Sequence, residues 1–487
     1  MKLRAGSDRQ RAAGVSPADR SLLLNGRAFL PARCRPHAGL GRIRRRGQRG
    51  SVLIIVLWIA LGLVTITLYF ANSMTLELRA ADNRVAGIAA DQAIEGAARY
   101  VSYVLATQAT NGIVPDLSTY LSQAVPLGES HFWIIGRAGD AAQATSSFGG
   151  VGQSDALYFS LVDEGSKLNL NTASVAMIES LTNMTAELAA NIVDWRDTNG
   201  QVSANGDGPT AYARLTPSYA PKNAPFETAE ELRLIYGMDA ATLIGEDVNR
   251  NGVMDANETD LNRNGAADSG LLEYVTVFTR EPNTRSDGTA RISVNGNRQE
   301  LATLFQQYFS TDRANEILRN LGPPGQPFRS LLEFYIRSRM TADEFGQVTT
   351  QITANTGSFI QGRINVNTAP APVLACVPGI GFEKADQVVA YRQSAASQLP
   401  SVAWVKDALN DDGAAIQAGP YITAESYQFS ADIAALGPFG RGYRRTRFVF
   451  DTSEGTPKII YRRDLSQLGW ALGQTIRQVW QAPKDTR

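Results

Sequence analysis

Gln48-Arg49-Gly50-Ser51-Val52-Leu53-Ile54-Ile55-Val56-Leu57-Trp58-Ile59-Ala60-Leu61 joins an arginine-rich segment to an abruptly apolar one. From Ser51 to Leu76 there is no charged residue, and Glu77 is the first. A helix over that run is long enough to cross a hydrocarbon core about 30 Å thick. Arg42, Arg44, Arg45, Arg46 and Arg49 stand directly before it. The excess of basic residues on the cytoplasmic side of membrane helices predicts that everything after the helix lies across the membrane.

Charge is divided in the same place. Residues 1–50 hold 13 Lys and Arg against Asp8 and Asp19, a net of +11, so the rest of this formally neutral chain is net −11. An acidic soluble part argues against nucleic acid as a partner, because that affinity comes from Lys and Arg on phosphate. The two cysteines are Cys34 and Cys376, so removal of the first 50 residues leaves one thiol and no internal disulfide. His131 is the single histidine after the leader, which excludes multi-histidine zinc sites and argues against Ser-His or Cys-His catalysis.

A secretory signal places its cleavage site after the apolar run. Here the basic segment and Gly50 precede it, so a cut between Gly50 and Ser51 leaves the helix on the mature chain. That order resembles the class III signal of type IV pilins and type II secretion pseudopilins, which a prepilin peptidase cuts on the cytoplasmic side. Those families usually carry Glu at the fifth mature position, and this chain has Ile55. The departure resembles the K-type minor pseudopilin of type II secretion. An ordinary single-span anchor would also fit the apolar run alone.

Beyond Leu76, the residues Leu78, Val85, Ile88, Ala89, Ala93, Ile94, Ala97 and Tyr100 recur at three- and four-residue steps, predicting one continuous helix from about Val52 to about Leu105. His131–Gly136 and Ala156–Val162 read as a pair of antiparallel strands. Strand-like sequence returns at Tyr427–Ala431, Tyr443–Phe450 and Lys458–Tyr461. The fold class is therefore α+β. Its sheet is interrupted by more than 200 residues that read as mainly helical. This resembles the K-type pseudopilin, in which a pilin-like long N-terminal helix and antiparallel sheet receive a large α-helical insert. The expected parts are a leader at 1–50, a membrane half-helix at 51–76, pilin-like sequence at 77–165, the insert at 166–420, and C-terminal strands and tail at 421–487. Asp163–Thr172, Lys222–Leu232 and Asp464–Leu472 add to the resemblance.

The insert repeats itself. Lys167-Leu-Asn-Leu-Asn-Thr-Ala173, ending at Arg196, matches Arg363-Ile-Asn-Val-Asn-Thr-Ala369, ending at Arg392. A weaker copy runs from Arg291-Ile-Ser-Val-Asn295 to Arg319. Further helix starts follow at Pro225-Phe226, Pro327-Phe328 and Leu399-Pro400. Each unit reads as an extended entry and a helix-turn-helix, in the manner of helix-hairpin-helix or SAM-like repeats, with Asn171-Thr172 and Asn367-Thr368 suited to cap helices. In the third unit Val377–Ala385 resembles a helix-hairpin-helix turn, in which Gly379, Gly381 and Lys384 would face a phosphate. Glu383 inside the turn and the acidic domain favour a structural turn instead.

Asp247-Val-Asn-Arg-Asn-Gly-Val-Met-Asp-Ala-Asn-Glu258 carries the most specific chemistry. Asp247, Asn249, Asn251, the Val253 carbonyl, Asp255 and Glu258 occupy the ligand positions of a calcium loop around Gly252. Asp260, Asn262, Asn264 and Asp268 repeat the pattern 13 residues on, with Leu271 where the acid belongs and Glu273 as a substitute. Solvated Asx-Gly loops share this composition, but tandem copies favour calcium in a structural role. Asp197–Gly200 with Asp207 is a weaker acidic loop.

The resemblance implies a non-enzymatic minor pseudopilin with I- and J-type partners at the filament tip, a prepilin peptidase and an inner-membrane assembly platform. It would be single-pass in the inner membrane with its C-terminal domain in the periplasm. The alternative is a membrane-anchored DNA-binding competence protein using the hairpin. No catalytic constellation or Gly-rich nucleotide loop points to an enzyme.

Overall fold

The computed structural model describes residues 51–137, 157–323, 325–394 and 399–481. The leader and Gly50 lie outside the described residues, so the cleavage site has no structural account. The chain divides into two compact units, Met1–Asn72 and Ser73–Arg487, four residues before the expected end of the membrane segment. One helix, α1 (Ser51–Gln108), begins at the proposed mature N-terminus. It is long and apolar enough to cross a membrane, and Val52 through Leu76 keep their side chains almost entirely exposed, as a lipid-facing or filament-facing segment requires.

Within the second unit, α1 packs on an antiparallel sheet. Its strands are β1 (Val125–Leu127), β2 (Ser130–Ile135), β3 (Val162–Asp163), β4 (Gln428–Leu436), β5 (Arg444–Asp451) and β6 (Lys458–Asp464). The order is β1-β2-β4-β5-β6, with β3 also against β4. The strands predicted as a mutual pair, at 131–136 and 156–162, therefore both pair with β4, which arrives some 270 residues later. Local alternation marks a strand and leaves its partner open.

The helix face that meets the sheet is narrower than its periodicity suggests. Ala90, Ala93, Ile94, Ala97, Val101 and Leu105 are buried against Phe429, Ile433, Phe448 and Phe450. Leu78, Val85 and Ile88 are exposed instead. Small side chains let the backbone approach closely: at Gly442 (φ +67°) a Cβ would stand 2.3 Å from the Ala86 carbonyl carbon. The other sheet face is covered by the chain end, where Trp133, Ile135, Leu436, Ala471 and Leu472 cluster with Ile476 and Trp480. Those last two belong to a helix, Gly473–Gln481, in sequence expected only to follow the last strand.

The insert has its own hydrophobic core, running from Leu168 to Ile422. Its three related segments open and close alike. Leu168–Asn169 pairs in parallel with Val275–Thr276, Ile292–Ser293 with Ile352–Thr353, and Ile364–Asn365 with Ile422–Thr423. Asn171 and Asn367 do not cap helices. The first helix is capped by Ser174, which accepts from Met177 N–H, and the third follows Pro370. The asparagines act as clamps: Asn171 Oδ1 accepts from Phe226 N–H (2.8 Å) while its Nδ2 donates to Phe226 C=O (3.0 Å). Asn295 holds Phe328 the same way, and Asn367 Nδ2 donates to Leu399 C=O. At Asn171 and Asn295 a single amide thereby satisfies both backbone groups where a distant segment begins, whereas Asn367 Oδ1 accepts from Trp404 Nε1.

Candidate metal loops and their docking

Both Asx-Gly loops fold by one local rule. In the first, Asp247 accepts from the N–H groups of Asn251 (3.0 Å) and Gly252 (2.7 Å). In the second, Asp260 accepts from Asn264 (3.2 Å) and Gly265 (2.9 Å). Asn249 and Asn251 both donate Nδ2 to Asp255 Oδ2 (2.5 and 2.9 Å). Asn262 and Asn264 do the same to Asp268 Oδ2 (2.5 and 3.0 Å). Positive φ falls at equivalent positions, Arg250 with Gly252 and Arg263 with Gly265. Loop positions one, three, five and nine therefore take the same arrangement twice, with the asparagine Nδ2 groups turned onto the ninth-position carboxylate.

The twelfth position differs. Glu258 accepts from Asn249 N–H (3.1 Å) and Asp255 N–H (3.0 Å), closing the first loop. For the second, the closing carboxylate is Glu246, which accepts from Leu261 N–H (2.7 Å) and Asp268 N–H (3.4 Å). Glu273, named from sequence as the substitute, lies 3.8 Å from Arg137 Nε. It lines a cavity of about 230 Å³ with Asp247, Arg250, Asp268 and Asp432. Glu246 stands before the first loop, outside the loop spacing, and the only signal of it in the sequence is a carboxylate directly preceding Asp247.

Among the described residues no three His, Cys, Asp or Glu side chains converge as a metal group. A cation here would therefore depend on amide and backbone oxygens beside the carboxylates. One buried atom fits that requirement: Asn249 is 2% exposed, and its Oδ1 has no hydrogen-bond partner. An orphaned buried oxygen at a ligand position is costly without a cation or a donor. Burial, with a smaller push from the Glu258 and Glu273 charges, raises the Asp247 carboxyl to about 6 against the hydrogen bonds from Gly252 and Asn251. The second loop is solvent-exposed at Asn262, Asn264 and Asp268, so water can meet its needs.

The first loop is also a docking element. Fully buried Arg445 on β5 donates to the carbonyls of Asn249 and Arg250 (2.8 Å for the latter) while pairing with Asp432 at 2.7 Å. Asn249 Nδ2 donates to Trp470 C=O (3.2 Å) and Asn251 Nδ2 to Ala471 C=O (3.3 Å). Glu230 of the insert pairs with Arg463 on β6 and accepts from Tyr461 Oη at 3.1 Å. The loop thus touches the sheet and the chain end together.

The weaker acidic loop is built differently. Asp194 and Asp207 are held by Ser203 N–H and Asn191 Nδ2, and Asp197 lies 3.6 Å from Arg196. Of the hairpin glycines Gly379 (φ +90°) faces inward, where a Cβ would meet Ala414 C=O at 2.3 Å, whereas nothing lies within 4 Å of one built at Gly381. Lys384 is paired with Asp411 at 3.0 Å. That turn packs on a neighbouring helix with its cation already neutralised, an arrangement that serves structure better than a phosphate.

Two family models match the chain. Both are described as type II secretion system (T2SS), protein K, one over residues 166–244 and one over 364–418. They cover the first and third repeated segments and leave the loops outside. No curated protein matches. Among solved structures, the GspK-GspI-GspJ complex from the enterotoxigenic Escherichia coli Type 2 Secretion System matches at 11% identity with a TM-score of 0.40, covering 77% of this chain and 95% of that one.

Proposed function

From the matches of residues 166–244 and 364–418 to the type II secretion system protein K models, we propose that this chain is a minor pseudopilin that supports protein export without catalysing a reaction. The observation that carries this is the pairing of those segments with a 58-residue N-terminal helix whose C-terminal part packs on an antiparallel sheet. In this reading a prepilin peptidase cuts between Gly50 and Ser51. The mature helix anchors the protein in the inner membrane, with the rest in the periplasm, until an assembly platform extracts it.

The reading includes a place at the filament tip beside I- and J-type minor pseudopilins. Ile55 offers no carboxylate to a subunit ahead of it, and an insert of some 250 residues would obstruct stacking in a filament body. The test is Gly50→Ala. Processing should stop, leaving a precursor larger by the leader, and export should fall to the level of a deletion. Normal processing of that variant would refute the reading.

The same reading gives calcium a structural role. Asp247, Asn249, Asn251, the Val253 carbonyl, Asp255 and Glu258 would hold one ion, and Asp260, Asn262, Asn264 and Asp268 with Glu246 a second. Bound there, calcium supplies positive charge to converging oxygens. The support is the orphaned Asn249 Oδ1 and the shared geometry of the two loops.

A further inference from the structure

The first loop and the chain end are joined by a pair of amides whose two ends face different ways. Asn249 and Asn251 each offer Nδ2 outward, to Trp470 C=O (3.2 Å) and Ala471 C=O (3.3 Å). Both also reach inward to Asp255 Oδ2. Asn251 Oδ1 is satisfied by Val253 N–H at 2.8 Å, whereas Asn249 Oδ1 is buried with no partner. Turning the Asn249 amide over to find a donor would take Nδ2 away from Trp470. Leaving it in place keeps an unsatisfied oxygen beside a carboxylate. A cation inside the loop removes that conflict, because it takes the amide oxygen and the Asp255 charge while the nitrogen stays on the tail.

What those carbonyls hold is a cover. Ala471 and Leu472 are fully buried on the sheet face at Trp133, Ile135 and Leu436. Trp470 Nε1 donates to Gly473 C=O at 2.7 Å, closing the turn into the last helix. From that helix Trp480 meets the Trp133 ring edge-on at 5.5 Å. The loop stays docked by Arg445 in any case, through its own backbone carbonyls. Occupancy of the loop and hold on the tail are therefore separable through one side chain.

We propose that the first loop is a cation-controlled latch: calcium in the loop fixes the Asn249 and Asn251 amides on the Trp470 and Ala471 carbonyls, and its loss frees the C-terminal helix from the sheet face. This rests on the calcium reading above. It adds that the ion regulates a surface, since release uncovers Trp133, Ile135 and Leu436.

The experiment is hydrogen exchange of the full mature chain in detergent, with millimolar calcium or with chelator, beside calorimetric titration of calcium. Amides of 474–481 should exchange at least about tenfold more slowly with calcium. Asn249→Asp keeps an oxygen ligand and deletes the Nδ2 donor. It should bind calcium at least as well yet lose that protection, and Asn251→Asp should lose part of it. Calcium binding without any change in wild-type tail exchange overturns the latch and leaves the calcium reading standing. Full protection in Asn249→Asp also overturns the latch. Absence of calcium binding to the wild type overturns both.

Discussion

Asp163 and Asp432 are both 4% exposed, and their neighbours drive them in opposite directions. Burial pushes the Asp163 carboxyl up, and hydrogen bonds from Thr368, Ser426, Gly165 and Asn365 do not overcome it. It therefore subtracts stability as pH rises past its unfolded value. At Asp432 the desolvation is larger than any single opposing effect, but the charges and hydrogen bonds of Arg445 and Arg447 together outweigh it and leave the group at about 2. Its stabilisation is complete above an unfolded carboxyl value of about 3.9 and fades as pH falls towards 2. Asp432→Asn leaves Arg445 buried and uncompensated, at a cost of about 3–5 kcal/mol near neutral pH. Urea unfolding should show that gap narrowing below about pH 4. A gap that is constant down to pH 2 would mean that Asp432 is not the stabilising charge.

At the scale of elements, the repeated segments show which residues hold a unit shut. Arg196 Nη2 donates to Ala173 C=O at 2.6 Å, and its Nη1 to Leu170 C=O. Arg392 makes the equivalent pair with Val366 and Ala369 (2.8 and 2.9 Å). The middle segment departs here: its grip comes from Arg298 on the Leu318 and Gly322 carbonyls. The asparagine clamps differ in depth, since Asn171 is half-buried and Asn295 exposed. Asn171→Ala strands Phe226 N–H and C=O and should cost about 1–3 kcal/mol. Asn295→Ala should cost clearly less, because water replaces the amide. Chemical denaturation of the two variants decides this, and equal losses would contradict it.

At the scale of the whole molecule, the acidic loops, the sheet and the chain end meet at one junction. Calcium that binds only the folded state stabilises it by mass action. The melting temperature of the mature chain should rise by several degrees in millimolar calcium and fall back with chelator. Asp255→Ala, which removes the carboxylate shared by Asn249 and Asn251, should abolish the calcium-dependent part of the shift. An unchanged melt with and without chelator would remove calcium from the account.

Periodicity and composition alone determined the long helix, the α+β class and the two loops, because each is written in local spacing. The turn geometry of both loops was legible at their first, third, fifth and ninth positions, since Asx-to-backbone bonds span only a few residues. Tertiary structure decided what depends on distant segments meeting. It placed β4 between β2 and β5 and made Asn171 and Asn367 clamps. It brought Glu246 to the second loop and set Arg445, Trp470 and Ala471 against the first. Hydrogen-bond partners 200 residues apart leave no periodic trace, and burial and opposite charge select them only once the chain has folded.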